Sequence, residues 1–198
     1  AVFSVYEDAE GRKWIGTLRG GVNILQASPG YFKHITYSVP GQDNNINNFI
    51  LSFCEDEQNN VWIGTDGAGL RYWNRGNNSY TEYVNDPGDK TSLSSNFVTG
   101  ILCDSRKDIW ISTWFGGINR FNPKSHTFEH YSCFNPVTNA EENNAWTLFE
   151  DAQQRIWAST TNNGTLYRLN RKSNVFELFD NRLINIQCLT EDRHADLW

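Results

Sequence analysis

The chain lacks any apolar run near the roughly 20 residues that a membrane-spanning helix needs, and it lacks the basic and hydrophobic regions of a signal peptide. It has no block of Lys and Arg, and its net charge is −6. Without a basic patch, neither a nucleic acid nor an anionic membrane surface is a favoured partner. Cysteine is sparse. Cys54, Cys103, Cys133 and Cys188 form no C-x-x-C pair and have no histidine at metal-ligand spacing, so nothing calls for a metal or another cofactor. Three of the four fall in apolar strand patterns, where the expectation is a free cysteine acting as a small buried hydrophobe. No G-x-S-x-G elbow, P-loop or H-E-x-x-H is present, and helical periodicity is absent throughout.

What is present is aromatic. The 198 residues suffice for one large domain, but 38% hydrophobic content and a mean hydropathy of −0.60 are low for a single thick core. Aromatics nevertheless reach 14%, with eight Trp. That combination suits many thin sheets packed by a few large rings.

The rings keep a period. Trp14, Trp62, Trp110, Trp157 and Trp198 are separated by 48, 48, 47 and 41 residues, and each stands six after an Asp: Asp8, Asp56, Asp104, Asp151 and Asp192. Phe32, Tyr80, Phe128 and Phe176 keep step at 48 residues. Within residues 96–132, "NFVTGILCD", "DIWIST", "GINRFN" and "TFEHYS" read as four short strands parted by Gly, Asn, Pro and Asp. Units of this length made of four-stranded antiparallel meanders are propeller blades. The fold class is therefore all-β, with residues 1–198 as one β-propeller region. Blades are expected near 1–43, 44–91, 92–139 and 140–182, with the start of a fifth over 183–198. A closed ring of four blades has no use for a fifth copy, so a piece of a larger propeller is expected. Its open end faces, carrying Phe3, Tyr6 and Leu197, should favour self-association.

Most repeated residues have structural work. The Asp accepts backbone N–H bonds in a tight turn, Gly11 and Asn59 suit a positive φ at its end, and the Trp fills the gap between blades. Gly20-Gly21, Ala68-Gly69 and Gly116-Gly117 open the third strand, where a side chain would obstruct the turn. Paired acids at Glu7-Asp8, Glu55-Asp56, Glu150-Asp151 and Glu191-Asp192 recur in every unit except where Cys103 replaces the Glu. An active site needs one pair at one spacing, so these read as structural. The four His are scattered, which gives no catalytic centre.

The variable positions lie between the Thr of strand two and the Gly of strand three, and in the loops leading into strand one. They supply Arg19, Asp66, Trp114, Phe115 and Asn162 from the first set, and Asn48 and Asn96 from the second. Aromatic faces stack on the C–H side of a sugar ring, and planar polar groups take its hydroxyls in paired hydrogen bonds. Trp114 and Phe115 stand where the other units hold Leu18-Arg19 and Asp66-Gly67, so the fold asks for no aromatic there. The plainer alternative for Trp114 is a ring packed over the next blade.

The pattern "ED-x-x-G-x-x-WIGT-x-x-GG" resembles the two-component regulator propeller repeat, closely in the first three units. The fourth has an extra residue and Gly164-Thr165 in place of Gly-Gly. The resemblance implies a ligand-sensing periplasmic domain of a membrane-anchored hybrid histidine kinase. Its implied ligand is an oligosaccharide, and any enzymatic activity would belong to the kinase rather than to this stretch. A protein-interaction scaffold and a propeller lyase are the rival readings.

Overall fold

The computed structural model describes residues 2–17, 21–25, 32–35, 49–161, 165–183 and 185–198, and among these there is no helix. The first sheet pairs β1 (Val2–Glu7), β2 (Lys13–Thr17), β3 (Gly21–Leu25) and β4 (Phe32–Ile35) in sequence order. The second does the same with β5 (Ile50–Glu55), β6 (Val61–Thr65), β7 (Leu70–Asn74) and β8 (Ser79–Tyr83). The third comprises β9 (Val98–Cys103), β10 (Ile109–Thr113), β11 (Gly117–Asn122) and β12 (Thr127–Tyr131). In the fourth, β15 (Ala145–Glu150), β16 (Ile156–Thr160), β17 (Leu166–Asn170) and β18 (Val175–Asp180) are extended by a hairpin of β13 (Cys133–Asn135) and β14 (Ala140–Glu142). Strand β13 runs parallel to β18, so the stretch between the third and fourth repeats joins the outer edge of the fourth sheet.

The first strands β1, β5, β9 and β15 lie side by side in series, which arranges the sheets as successive propeller blades. The second strands β6, β10 and β16 are buried along their whole length. A strand covered on both faces selects β-branched and aromatic residues, as in Val61-Trp62-Ile63. The fourth strand β8 is mostly exposed or half-buried and correspondingly polar. Three apolar clusters fill the three gaps between blades. Each is centred on a repeat tryptophan: Trp14 meets Phe53 and Trp73, Trp62 meets Phe121, and Trp110 meets Tyr131 and Phe176.

The six-residue spacing from Asp to Trp has a reason beyond the turn. Asp8 Oδ1 accepts the N–H groups of Glu10 and Arg12 at 3.0 and 2.9 Å, while its Oδ2 accepts the indole N–H of Trp14 at 2.9 Å. Asp104, Asp151 and Asp192 repeat the arrangement with Trp110, Trp157 and Trp198 at 3.1, 2.7 and 3.1 Å. The third residue after the Asp has φ of +74° at Gly11, 60° at Asn59, 72° at Lys107 and 61° at Gln154. One side chain thus closes the hairpin and aims the ring into the next blade. After Asp180 the last such turn is held by Thr190 and Trp198, whose backbone groups bond reciprocally at 3.0 and 2.9 Å.

A second clamp crosses each seam. The Glu before the Asp reaches back to the preceding blade's turn: Glu55 accepts the N–H of Ala9 at 3.0 Å, Glu150 that of Ser105 at 2.7 Å and Glu191 that of Ala152 at 2.6 Å. The seam between the second and third blades is different, and here the expectation of free cysteines is corrected. Cys54 and Cys103 form a disulfide, with Cα atoms 6.1 Å apart, a normal separation for the bond. They come together because first strands of successive blades are neighbours, which is invisible to short-range spacing rules. Cys133 is free and buried, and Cys188 is free and exposed.

Candidate functional site

At the end of the blades opposite the Asp turns, the loops are tied down by backbone bonds. The N–H groups of Asp66, Trp114 and Thr161 donate to the carbonyls of Phe49, Phe97 and Asn144 at 2.9, 2.9 and 3.0 Å, so each loop is fastened to the residue leading into its own blade. Across the seams, Gly67 and Gly69 donate to Asn96 O at 3.1 and 2.9 Å, and Gly117 donates to Asn143 O at 2.9 Å. The Thr that closes each second strand helps as well. Thr65 Oγ1 donates to Gly69 O at 2.7 Å and Thr113 Oγ1 to Gly117 O at 2.9 Å. Glycine is required at these third-strand openings, since φ is +81° at Gly69 and a Cβ there would lie 2.4 Å from Tyr83 O.

On this shared frame the second and third blades differ. Gly67 holds a φ of +102°, a conformation that costs glycine little. Phe115 occupies the corresponding position with a φ of 72°. A bulky residue in the left-handed region is strained by about 1–3 kcal/mol and persists only where the surroundings enforce it. Here Asn144 Oδ1 accepts the Phe115 N–H at 3.1 Å, which holds the loop in place. The ring gains little burial in return, because Phe115 is 66% exposed.

The strained ring belongs to an aromatic group. Phe115 meets Phe97 edge-on at 6.1 Å and Trp114 at 5.8 Å, and Trp114 meets Trp146 of the next blade at 5.7 Å. These four rings, with Leu51, Thr99 and Asp66, line a cavity of about 330 Å³. Asp66 is exposed and is the one ionisable residue among them. Thr99 directs its hydroxyl to Ala145 O at 2.8 Å, so it serves the frame rather than a ligand. The site offers apolar faces at right angles to one another and one carboxylate that accepts hydrogen bonds. Such a surface can bind and orient a molecule that has both C–H faces and hydroxyls.

Of the residues singled out from sequence, Asp66, Trp114 and Phe115 come together here. Asn96 does not line the cavity: its Oδ1 accepts the Asn85 N–H at 2.7 Å and its carbonyl is taken by Gly67 and Gly69. Arg19, Asn48 and Asn162 lie outside the described residues. Trp114 does pack against the next blade, as the plainer alternative had it, yet it remains half-buried and lines the opening. Phe97 and Trp146 were missed. Trp146 carried a signal of the same kind as Trp114, because it stands in the first strand where Leu51 and Thr99 stand in the two blades before it.

Comparison with known proteins follows the repeats. The family described as two component regulator propeller matches residues 44–67 and 92–115, in the second and third repeats. No curated protein matches. Among solved structures, the extracellular domain of a protein described as a hybrid two component system from B. thetaiotaomicron is 23% identical with a TM-score of 0.78. The match covers 100% of this chain and 27% of that one. A second such extracellular domain from the same organism is 19% identical, with a TM-score of 0.56 and coverage of 100% and 34%. Virginiamycin B lyase from Staphylococcus aureus is 15% identical, with a TM-score of 0.71 and coverage of 100% and 62%. These likenesses establish the propeller fold, and the chain spans about a quarter to three-fifths of the length of the proteins it matches.

Proposed function

We propose that this chain, whose second and third units match the two component regulator propeller, is part of an extracytoplasmic sensor propeller, and that the aromatic cavity at its loop end takes an oligosaccharide. The parent protein is then a membrane-anchored histidine kinase, the compartment is the periplasm, and catalysis belongs to parts beyond this stretch. The observation that carries the reading is Phe115: an aromatic ring held at positive φ, 66% exposed, beside Trp114 and Asp66. Strain kept on an exposed ring argues for recognition over packing.

The lyase reading has less support, since the cavity brings together one ionisable side chain and no base partnered with an acid. The scaffold reading differs in its ligand. Glycan-array binding with a Trp114→Ala control separates the two: the sensor reading expects one family of oligosaccharides to bind, weakened by about 1–3 kcal/mol in the variant. Binding that persists in the variant would place the site elsewhere. The blade faces support the further proposal of self-association, with Val5 of β1 63% exposed. Light scattering at high micromolar concentration that reports monomers alone would reject it.

A further inference from the structure

The blades treat their buried Asp–Trp pairs alike in one respect, with one exception. In the first blade the guanidinium of Arg12 lies over the Trp14 ring at 6.0 Å and also pairs with Asp8. In the third, Arg120 lies over Trp110 at 5.5 Å, and in the fourth Arg155 and Arg168 lie over Trp157 at 5.3 and 5.8 Å. The following blade adds an arginine across the seam. Arg75 reaches Glu55 and Glu10 at 2.9 Å each and comes within 4.0 Å of Asp8, while Arg171 pairs with Asp104 at 3.2 Å.

The seam between the second and third blades has no such arginine, and the cation that crosses it, Lys107, pairs with Glu57 at the rim of the turn instead of with Asp56. Among the described residues no cation pairs with Asp56 or lies over Trp62. Asn60 and Tyr72 stand where the other blades put arginines, and Pro123 stands where Arg75 and Arg171 do. The backbone at that position is the same in all three blades. Asn74, Asn122 and Asn170 each accept, through Oδ1, the N–H two residues on at 3.0 Å. The arginine that would cross the seam from this position is missing, while the loop that would carry it is not.

What remains is a cavity of about 500 Å³. Its walls include the rings of Trp62, Tyr72, Tyr83 and Phe121, with Asp56, Asp104 and Asp108 and the Lys107–Glu57 pair on the charged side. Tyr72 gives its hydroxyl to Asp56, and burial together with that carboxylate pushes the phenol up to about 12. Burial, reinforced by the charge of Asp104, moves the Asp108 carboxyl above the usual carboxylate range. Trp62 is the repeat tryptophan that does not bond to its Asp. It is 4% exposed, and its indole N–H is buried without a hydrogen-bond partner. A buried donor left unpaired in this way is destabilising, and a ligand oxygen would relieve it.

We propose that this cavity is a second binding site, one that takes an arginine unit, with its guanidinium at Asp56 and over the Trp62 ring and its carbonyl oxygen available to the Trp62 N–H. An external ligand then supplies what an intrinsic arginine supplies at the neighbouring seams. The arginine is either a free amino acid or a residue of a peptide segment, and the chemistry of recognition is common to both.

The test follows the tryptophan indole N–H signals by NMR while the intact chain is titrated with N-acetyl-arginine amide, free L-arginine and N-acetyl-citrulline amide. The proposal expects a saturable shift of the Trp62 signal with at least one arginine probe below about 10 mM, and at least about tenfold weaker binding of the citrulline amide. Preference for the acetyl amide over free arginine identifies a peptide segment as the source, and the reverse identifies the amino acid. Pro123→Arg should fill the cavity from within, abolish binding and raise the melting temperature. Asp56→Asn should weaken binding at least about tenfold, and if that variant fails to fold, Pro123→Arg decides alone. No saturable shift with either arginine probe, equal binding of citrulline, or undiminished binding by Pro123→Arg overturns the proposal.

Discussion

The two ends of the blade array follow opposite rules. At the Asp-turn end the same few atoms recur: carboxylate to turn N–H, carboxylate to indole, glutamate to the preceding blade. At the other end the backbone ties recur but the side chains do not, so that Gly67 and Phe115 occupy one loop position. Repetition therefore marks what builds the blades, and departure from it marks where something else is selected. The Asp-turn end contains its own departure at the second seam, where a disulfide stands in place of the glutamate clamp and a proline in place of the arginine.

The largest effect should come from a repeat ring. Trp110 is fully buried between Tyr131 and Phe176. Trp110→Ala should cost about 3–5 kcal/mol in urea unfolding, with no selective effect on ligands. A folded variant that has lost only affinity would break the division between the two ends. Next is the disulfide: reduction of Cys54–Cys103, which closes a loop across 49 residues, should lower stability by about 2–4 kcal/mol. An unchanged unfolding midpoint under reductant would mean that apolar packing alone closes that seam.

Conservative ring changes sharpen the contrast between seams. Trp110→Phe removes the N–H that Asp104 accepts, leaving a buried carboxylate short of a donor, and should cost about 1–3 kcal/mol beyond the lost volume. Trp62→Phe removes an unpaired donor and should cost clearly less. Equal losses would show that the Trp62 N–H is satisfied in solution.

A smaller effect concerns pH. Burial opposes the charge on Asp8 and Asp151, but hydrogen bonds from Trp14 and Trp157 and from Arg12 and Arg155 outweigh it, and both carboxyls sit below the usual range. Their folded pKa is depressed, so their stabilisation is complete above the ordinary Asp pKa of about 3.9 and disappears as pH falls from there through the folded value. The melting temperature should drop as pH falls below the ordinary Asp pKa of about 3.9, and Asp8→Asn with Asp151→Asn should flatten that drop. A slope unaltered by both substitutions would assign acid lability to other carboxylates.

The blade architecture was legible because each repeat residue answers one local demand, and a demand made five times leaves a period in the chain. The Asp-to-Trp spacing was visible, whereas the bond between the two side chains was not, since spacing does not say where an indole N–H points. The disulfide was hidden for a related reason. Cys54 stands two before its Asp and Cys103 one before its own, so the repeat does not align them. At the loop end, Trp114 and Phe115 announced themselves by breaking the pattern. Asn96 holds a loop and does not line the aromatic cavity, and the sequence could not show this because an Asn that holds a loop and an Asn that holds a hydroxyl look the same there. The hairpin of β13 and β14 joins the fourth sheet through a long-range parallel pairing, which no local pattern encodes.

The most direct test exchanges one loop for another. Replacing Trp114-Phe115 by the Asp-Gly of the second blade, as Trp114→Asp with Phe115→Gly, removes the strained φ and two rings of the cavity while keeping a loop that this frame already accepts. The account predicts that the melting temperature stays level or rises, because the relieved strain of about 1 kcal/mol offsets the lost ring contacts, while oligosaccharide affinity falls at least about tenfold. A variant that melts far lower yet binds its sugar like the parent would show that these rings are packing, and would contradict the division of labour between the two ends.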